Sequence, residues 1–105
     1  MKDMKGFVPA PGHMNFFTKK LFAHAGEIID GSIVYVEKDG GGPSEFHTHE
    51  HNHLFIVVKG EVKICLNNEK VIVHENESYP VKGSVPHSLW NNRSETAIVV
   101  ALSVK

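Results

Sequence analysis

Cysteine is all but missing from this chain. A single residue, Cys65, excludes an intramolecular disulfide, and a small unstapled domain is expected in a reducing compartment, the cytoplasm. Long apolar runs are missing too. No stretch approaches the ~18 residues that a membrane span needs, so no membrane partner is expected. Charge of one sign is equally scarce: the formal net charge is −1, which argues against an electrostatic grip on nucleic acid or anionic lipid. The start, Met1-Lys2-Asp3-Met4-Lys5, leads into Gly, Pro and polar residues rather than an apolar run, so no signal peptide is read. Convincing amphipathic helices are absent as well. Residues 13–24, with Phe16, Phe17, Leu21 and Phe22, fit either a strand or one short helix.

What is present reads as β. Ser32 to Glu37 is rich in β-branched and aromatic residues and is expected to stop at Gly40-Gly41-Gly42-Pro43. Leu54 to Val58 is an apolar run long enough for a strand and too short for a helix. Glu61 to Leu66 alternates polar and apolar, then meets Asn67-Asn68, a hairpin turn leading to Val71-Ile72-Val73. Ser84 to Trp90 and Thr96 to Val104 supply two more candidate strands. Short strands separated by turn signals predict an all-β sandwich or barrel in one domain of 105 residues. Residues 1–24 read as an N-terminal arm, loose or packed on a partner subunit as an added strand, with the barrel spanning 25–105.

Histidine is the one residue type in excess, 8 in all, with His47, His49, His51 and His53 strictly alternating. Extended chain puts positions i, i+2 and i+4 on one face, so His47 and His49 can present two imidazoles to one metal. His53 opens the apolar strand and is therefore fixed by it. Neutral imidazole is a good donor to first-row transition metals near neutral pH. A ligand from a distant strand is also needed, and His87, after the turn Gly83-Ser84-Val85-Pro86, is the natural candidate. Closing a ring of ligands requires the chain to turn between His49 and His53, which leaves His51 outside the set. His13, His24 and His74 read as surface or satisfied core histidines.

Two segments resemble the cupin family. Gly41, five residues, His47-Thr48-His49, three residues, His53, six residues and Gly60 is similar to the first cupin motif, G-x5-H-x-H-x3,4-E-x6-G. Pro80 to Asn91 is similar to the second, P-x-G-x2-H-x3-N. The family's glutamate ligand is His53 here, and the path from Pro80 to His87 is longer than the motif, so a bulge or shifted register is expected there. The Gly-Asp pair that opens the second motif reads Asn76-Glu77.

The resemblance implies a single-domain cupin, a jelly-roll β-barrel, holding a divalent transition metal (Zn, Fe, Mn, Ni or Cu) on His47, His49, His53 and His87. Four neutral imidazoles leave the cation's charge uncancelled, which favours an anionic or enolate-forming small molecule. By strand parity Phe55 and Val57 share the face of His53, Leu89 shares that of His87, and Tyr35 joins them as a candidate pocket wall. Two function classes follow. One is a small metal-dependent enzyme, a dioxygenase or oxidase, or a Lewis-acid isomerase or cyclase. The other is a non-catalytic binding or sensor module with a structural metal. The sequence names no general base outside the ligands. A homodimer is expected, because a small barrel leaves open sheet edges.

Overall fold

The computed structural model describes residues 4–105, apart from the side chains at positions 45–47. Every regular element among them is a strand: β1 (Val8–Pro9), β2 (Met14–Ala25), β3 (Ile28–His47), β4 (Asn52–Lys59), β5 (Glu61–Leu66), β6 (Lys70–His74), β7 (Ser78–Val81), β8 (His87–Asn91) and β9 (Ala97–Val104). Among the described residues no helix is long and apolar enough to cross a membrane.

All pairings are antiparallel, and the strands run in the order β6-β5-β8-β3-β9-β4-β7. The two ends of this path, β6 and β7, are consecutive in sequence. The turn joining them bonds to β4, with Val57 N–H donating to the Glu77 carbonyl at 2.9 Å and Asn76 N–H to the Val57 carbonyl at 2.7 Å. The sheet thereby rolls into a nearly closed barrel of the jelly-roll kind, which brings the β6 and β7 ends of the path together.

Period-2 alternation decides which side chains face inward. On β3 these are Val34 and Val36, on β5 Val62 and Ile64, and on β9 Ala97 and Val99; with Val57, Val73, Val81 and Leu89 they form the core. Tyr35 falls between the two inward valines. It faces away from the core and stacks on Phe7, ring centroids 4.4 Å apart.

Three expectations change. The glycine triplet does not end a strand: β3 continues to His47, pairing with β9 up to Val36 and with β8 from Gly41, while β2 stays alongside as far as Gly41. The glycines make this change of partner feasible. Gly41 has φ +152°, and a Cβ there would strike the Leu89 carbonyl and the Trp90 ring. The extra length before His87 is taken up by a turn, Val85 N–H bonding the Lys82 carbonyl at 3.1 Å, so β8 begins at His87 rather than at Ser84 with a bulge. Residues 14–25, the bulk of the expected arm, form a long strand hydrogen-bonded to the chain's own β3, and the expected boundary at residue 24 falls inside that hairpin.

Candidate metal centre

Three of the four candidate ligands converge. His49, on the link between β3 and β4, His53, near the start of β4, and His87, the first residue of β8, each offer a nitrogen within 4.8 Å of the other two. Ring centroids lie 4.5 Å apart for His49 and His53, 5.1 Å for His49 and His87, and 5.4 Å for His53 and His87. His47 ends β3 and pairs in register with His87, but its side chain lies outside the described residues.

The tautomers follow from the partners. A carbonyl can only accept, so His49 Nδ1 donates to the His51 carbonyl at 2.8 Å and His87 Nδ1 donates to that of Val85 at 2.7 Å. Both rings therefore carry their lone pair on Nε2. His53 Nε2 is 2.9 Å from His49 Nε2, close enough for the two nitrogens to share one proton. Its Nδ1 is buried near the Leu102 carbonyl without a hydrogen bond of good geometry. A cation taken up on the Nε2 side would move the His53 proton to Nδ1, where that carbonyl waits. Each ring would then have Nδ1–H on a backbone carbonyl and Nε2 inward, the outer-sphere arrangement usual for metal-bound histidine. The donor set fits a divalent transition metal.

Burial keeps the rings of His53 and His87 neutral. His53 is pushed down from 6.5 to about 4, first by loss of solvent, then by the neighbouring His49, His87 and His51 imidazoles. His87 is also lowered, chiefly by burial, against the opposing pull of the Val85 carbonyl. Lone pairs are thus available at neutral pH.

His51 stands outside the converging nitrogens. Its ring stacks face to face on His49, centroids 4.1 Å apart and 9° from parallel, while its carbonyl orients that same ring. The 48–51 segment can bend this sharply because Gly83 lies beneath it. A Cβ at Gly83 would overlap the carbonyl oxygens of His51 and His49. Two hydrogen bonds clamp the contact: His49 N–H to the Gly83 carbonyl at 2.9 Å, and Gly83 N–H to Asn52 Oδ1 at 3.1 Å. The first histidine segment and the turn carrying His87 are thereby held as one unit.

A cavity of about 250 Å³ opens beside the cluster, with His53 and His87 in its wall. Phe55 and Leu89 line it, together with Phe16, Val34 and Pro43. Val57 and Tyr35 do not. Val57 shares the face of His53 but lies deeper, fully buried where the barrel is packed solid, and Tyr35 is on the opposite face of β3. Sequence reasoning missed the contribution of the N-terminal segment, which adds Ala10, His13, Phe16 and Thr18 to the lining.

The sequence pattern of the Cupin domain family matches residues 32–104. The chain belongs to that family. No curated protein sequence matches it. Solved structures that this cupin resembles include the plu4264 protein of Photorhabdus luminescens, at TM-score 0.79 and 20% identity, covering 100% of this chain and 85% of that one. The Cnp3 cupin domain of Schizosaccharomyces pombe follows at TM-score 0.77 and 12% identity, over 88% of this chain and 66% of that one, so this chain spans just under two-thirds of its length. The polyketide cyclase RemF of Streptomyces resistomycificus gives TM-score 0.74 and 20% identity, over 92% and 70%. At these identities the likeness is one of fold.

Proposed function

We propose that this cupin binds one divalent transition metal on His49, His53 and His87, with His47 completing the set, and uses it on a small anionic or enolisable molecule. The observation that carries the reading is the shared disposition of the rings. His49 and His87 hold Nδ1 on a backbone carbonyl and turn Nε2 inward, and His53 completes the cluster from the cavity wall. Bound there, a divalent cation supplies Lewis acidity toward a carbonyl or carboxylate oxygen. The chain's own part is to hold neutral imidazoles in place, to exclude water with Phe16, Phe55 and Leu89, and to limit size. A cavity of about 250 Å³ is below the usual range for drug-sized ligands and selects something smaller.

Binding without turnover is the second reading, and the lining itself favours it. Among the described residues of the wall, the polar groups beyond the histidines are the hydroxyls of Thr18, Ser32 and Ser103, none a general base at neutral pH.

The test begins with protein purified without a nickel column. About one divalent metal per chain is expected, falling to background in His53→Ala and His87→Ala. Protein that holds no metal and takes up none of zinc, iron, manganese, nickel or copper ends the reading. Oxygen uptake and product formation with a panel of enols and phenols then separate enzyme from binder.

We further read the chain as a homodimer. Lys19 to Ala25 has β3 on one side only, with Leu21 51% and Phe22 37% exposed. A monomeric mass by sedimentation counts against this.

A further inference from the structure

Among the described residues, the cavity wall carries one titratable side chain outside the histidine cluster. His13 lines it together with His53 and His87, and the remaining described residues of the wall carry only hydroxyls, hydrocarbon or backbone. Its placement is built rather than incidental. The loop bearing it is tied to β3 by Ser44 N–H bonding the Gly12 carbonyl at 3.0 Å, and closed on itself by Ala10 N–H to the Phe16 carbonyl at 3.0 Å. The ring packs on Phe16, centroids 4.3 Å apart, and lies so close to Gly42 that a Cβ there would come within 2.9 Å of it.

Its tautomer is set as well. His13 Nδ1 is 2.7 Å from the Pro11 carbonyl, which can only accept, so Nδ1 carries the proton and Nε2 the lone pair. His13 lines the cavity, whereas Pro11 does not.

We infer that His13 is the specificity-determining anchor of this cavity, accepting a hydrogen bond at Nε2 from an acidic hydroxyl of the ligand. The ligand class is a small oxyacid with a carboxylate or carbonyl oxygen at the histidine-cluster end and a phenol or enol hydroxyl at the other. This rests on the metal-site reading above. It adds which second group the ligand must carry and which residue reads it. A ligand lacking that hydroxyl leaves Nε2 without a donor from the ligand, and discrimination follows from that loss.

The experiment uses the full chain loaded with zinc and compares benzoate with 3- and 4-hydroxybenzoate by calorimetric titration. At least one hydroxybenzoate is expected to bind about five- to tenfold tighter than benzoate, the worth of one hydrogen bond. In His13→Phe, which keeps a ring against Phe16, that preference disappears while zinc content stays as in the wild type. His13→Gln, which retains an acceptor, recovers part of it. The inference is overturned if the zinc-loaded wild type binds none of the three or binds all three alike, if the preference survives in His13→Phe, or if both variants lose zinc. A wild type that takes up no zinc or other divalent metal instead overturns the metal-site reading and this inference with it.

Discussion

His53 shows how one residue's surroundings set its chemistry. Unfolded, its imidazole takes a proton near pH 6.5; folded, burial and three neighbouring rings hold it to about 4. The unfolded chain therefore binds more protons throughout that interval, and protonation favours unfolding. Protein stripped with a chelator is expected to be most stable above pH 6.5 and to lose melting temperature steadily as the pH falls toward 4. His53→Gln should flatten that dependence. A wild-type profile as flat as the variant's would show that the ring is not buried as described. Asn52 acts at the same scale without touching the rings. Its side chain holds the Gly83 N–H, so Asn52→Ala should weaken zinc about tenfold in competition with a chromophoric chelator, as loss of an outer support typically does. Asn52→Asp keeps the acceptor and should stay close to wild type. The alternating histidines were legible from sequence because the pattern is local. His13 was not, because what brings it to the cavity is a bond between Gly12 and Ser44, a pairing with no local signature.

At the scale of elements, two contacts decide how the barrel is held. One is the close approach of the turn before β8 to the histidine segment. Gly83→Ala places a methyl against two backbone carbonyls, which cannot swing aside as a flexible side chain would. A loss of about 1–3 kcal/mol is expected by denaturant melting, with Ser84→Ala as a neighbouring control near zero. The other contact closes the far end. Glu61 at the start of β5 accepts from Arg93 Nη2 at 2.9 Å and Asn92 Nδ2 at 2.6 Å, both in the β8–β9 connection. The Arg93 guanidinium, then Asn92, hold its carboxyl below the ordinary 4.5. Since the folded form releases this proton more readily, the pairing stabilises fully above pH 4.5 and is lost as the pH falls below it. The melting gap between wild type and Glu61→Gln should be widest near neutrality and close in acid; a gap independent of pH would mean the carboxylate is not engaged. β5, with its polar–apolar alternation, and β9, an apolar run set off by a polar turn, were legible in advance. β7 was missed because Ser78 to Val81 is short and contains proline, and the course of β3 through Gly40 to Pro43 was misread because turn composition there marks a change of partner.

For the whole molecule, the barrel interior is divided. One end is packed solid around Val36, Val57, Val62, Ile64 and Val99; the other is open around the histidines. Stability and binding are thereby separable. Ile64→Ala should cost about 2–5 kcal/mol, read by chemical denaturation, while leaving metal stoichiometry unchanged in the surviving folded fraction. Substitution of His49 should do the reverse. The family was legible from two spaced motifs, since they fix the order in which histidine-bearing strands meet. The size of the cavity and the place of His13 in its wall were not, because both depend on where the N-terminal strand docks.

The long strand β3 carries a consequence for how such a chain tolerates change in length. It serves β9 before the glycines and β8 from Gly41 onward, with β2 alongside as far as Gly41. One residue inserted between Gly40 and Pro43 would rotate everything downstream by half a pleat, shifting the 41–47 pairings with His87 and Leu89 out of step while leaving Val34 and Val36 in place. The same insertion at Asn67-Asn68 would only enlarge an exposed turn. Evolution can lengthen this protein at its rim, but along its spine it is obliged to keep count.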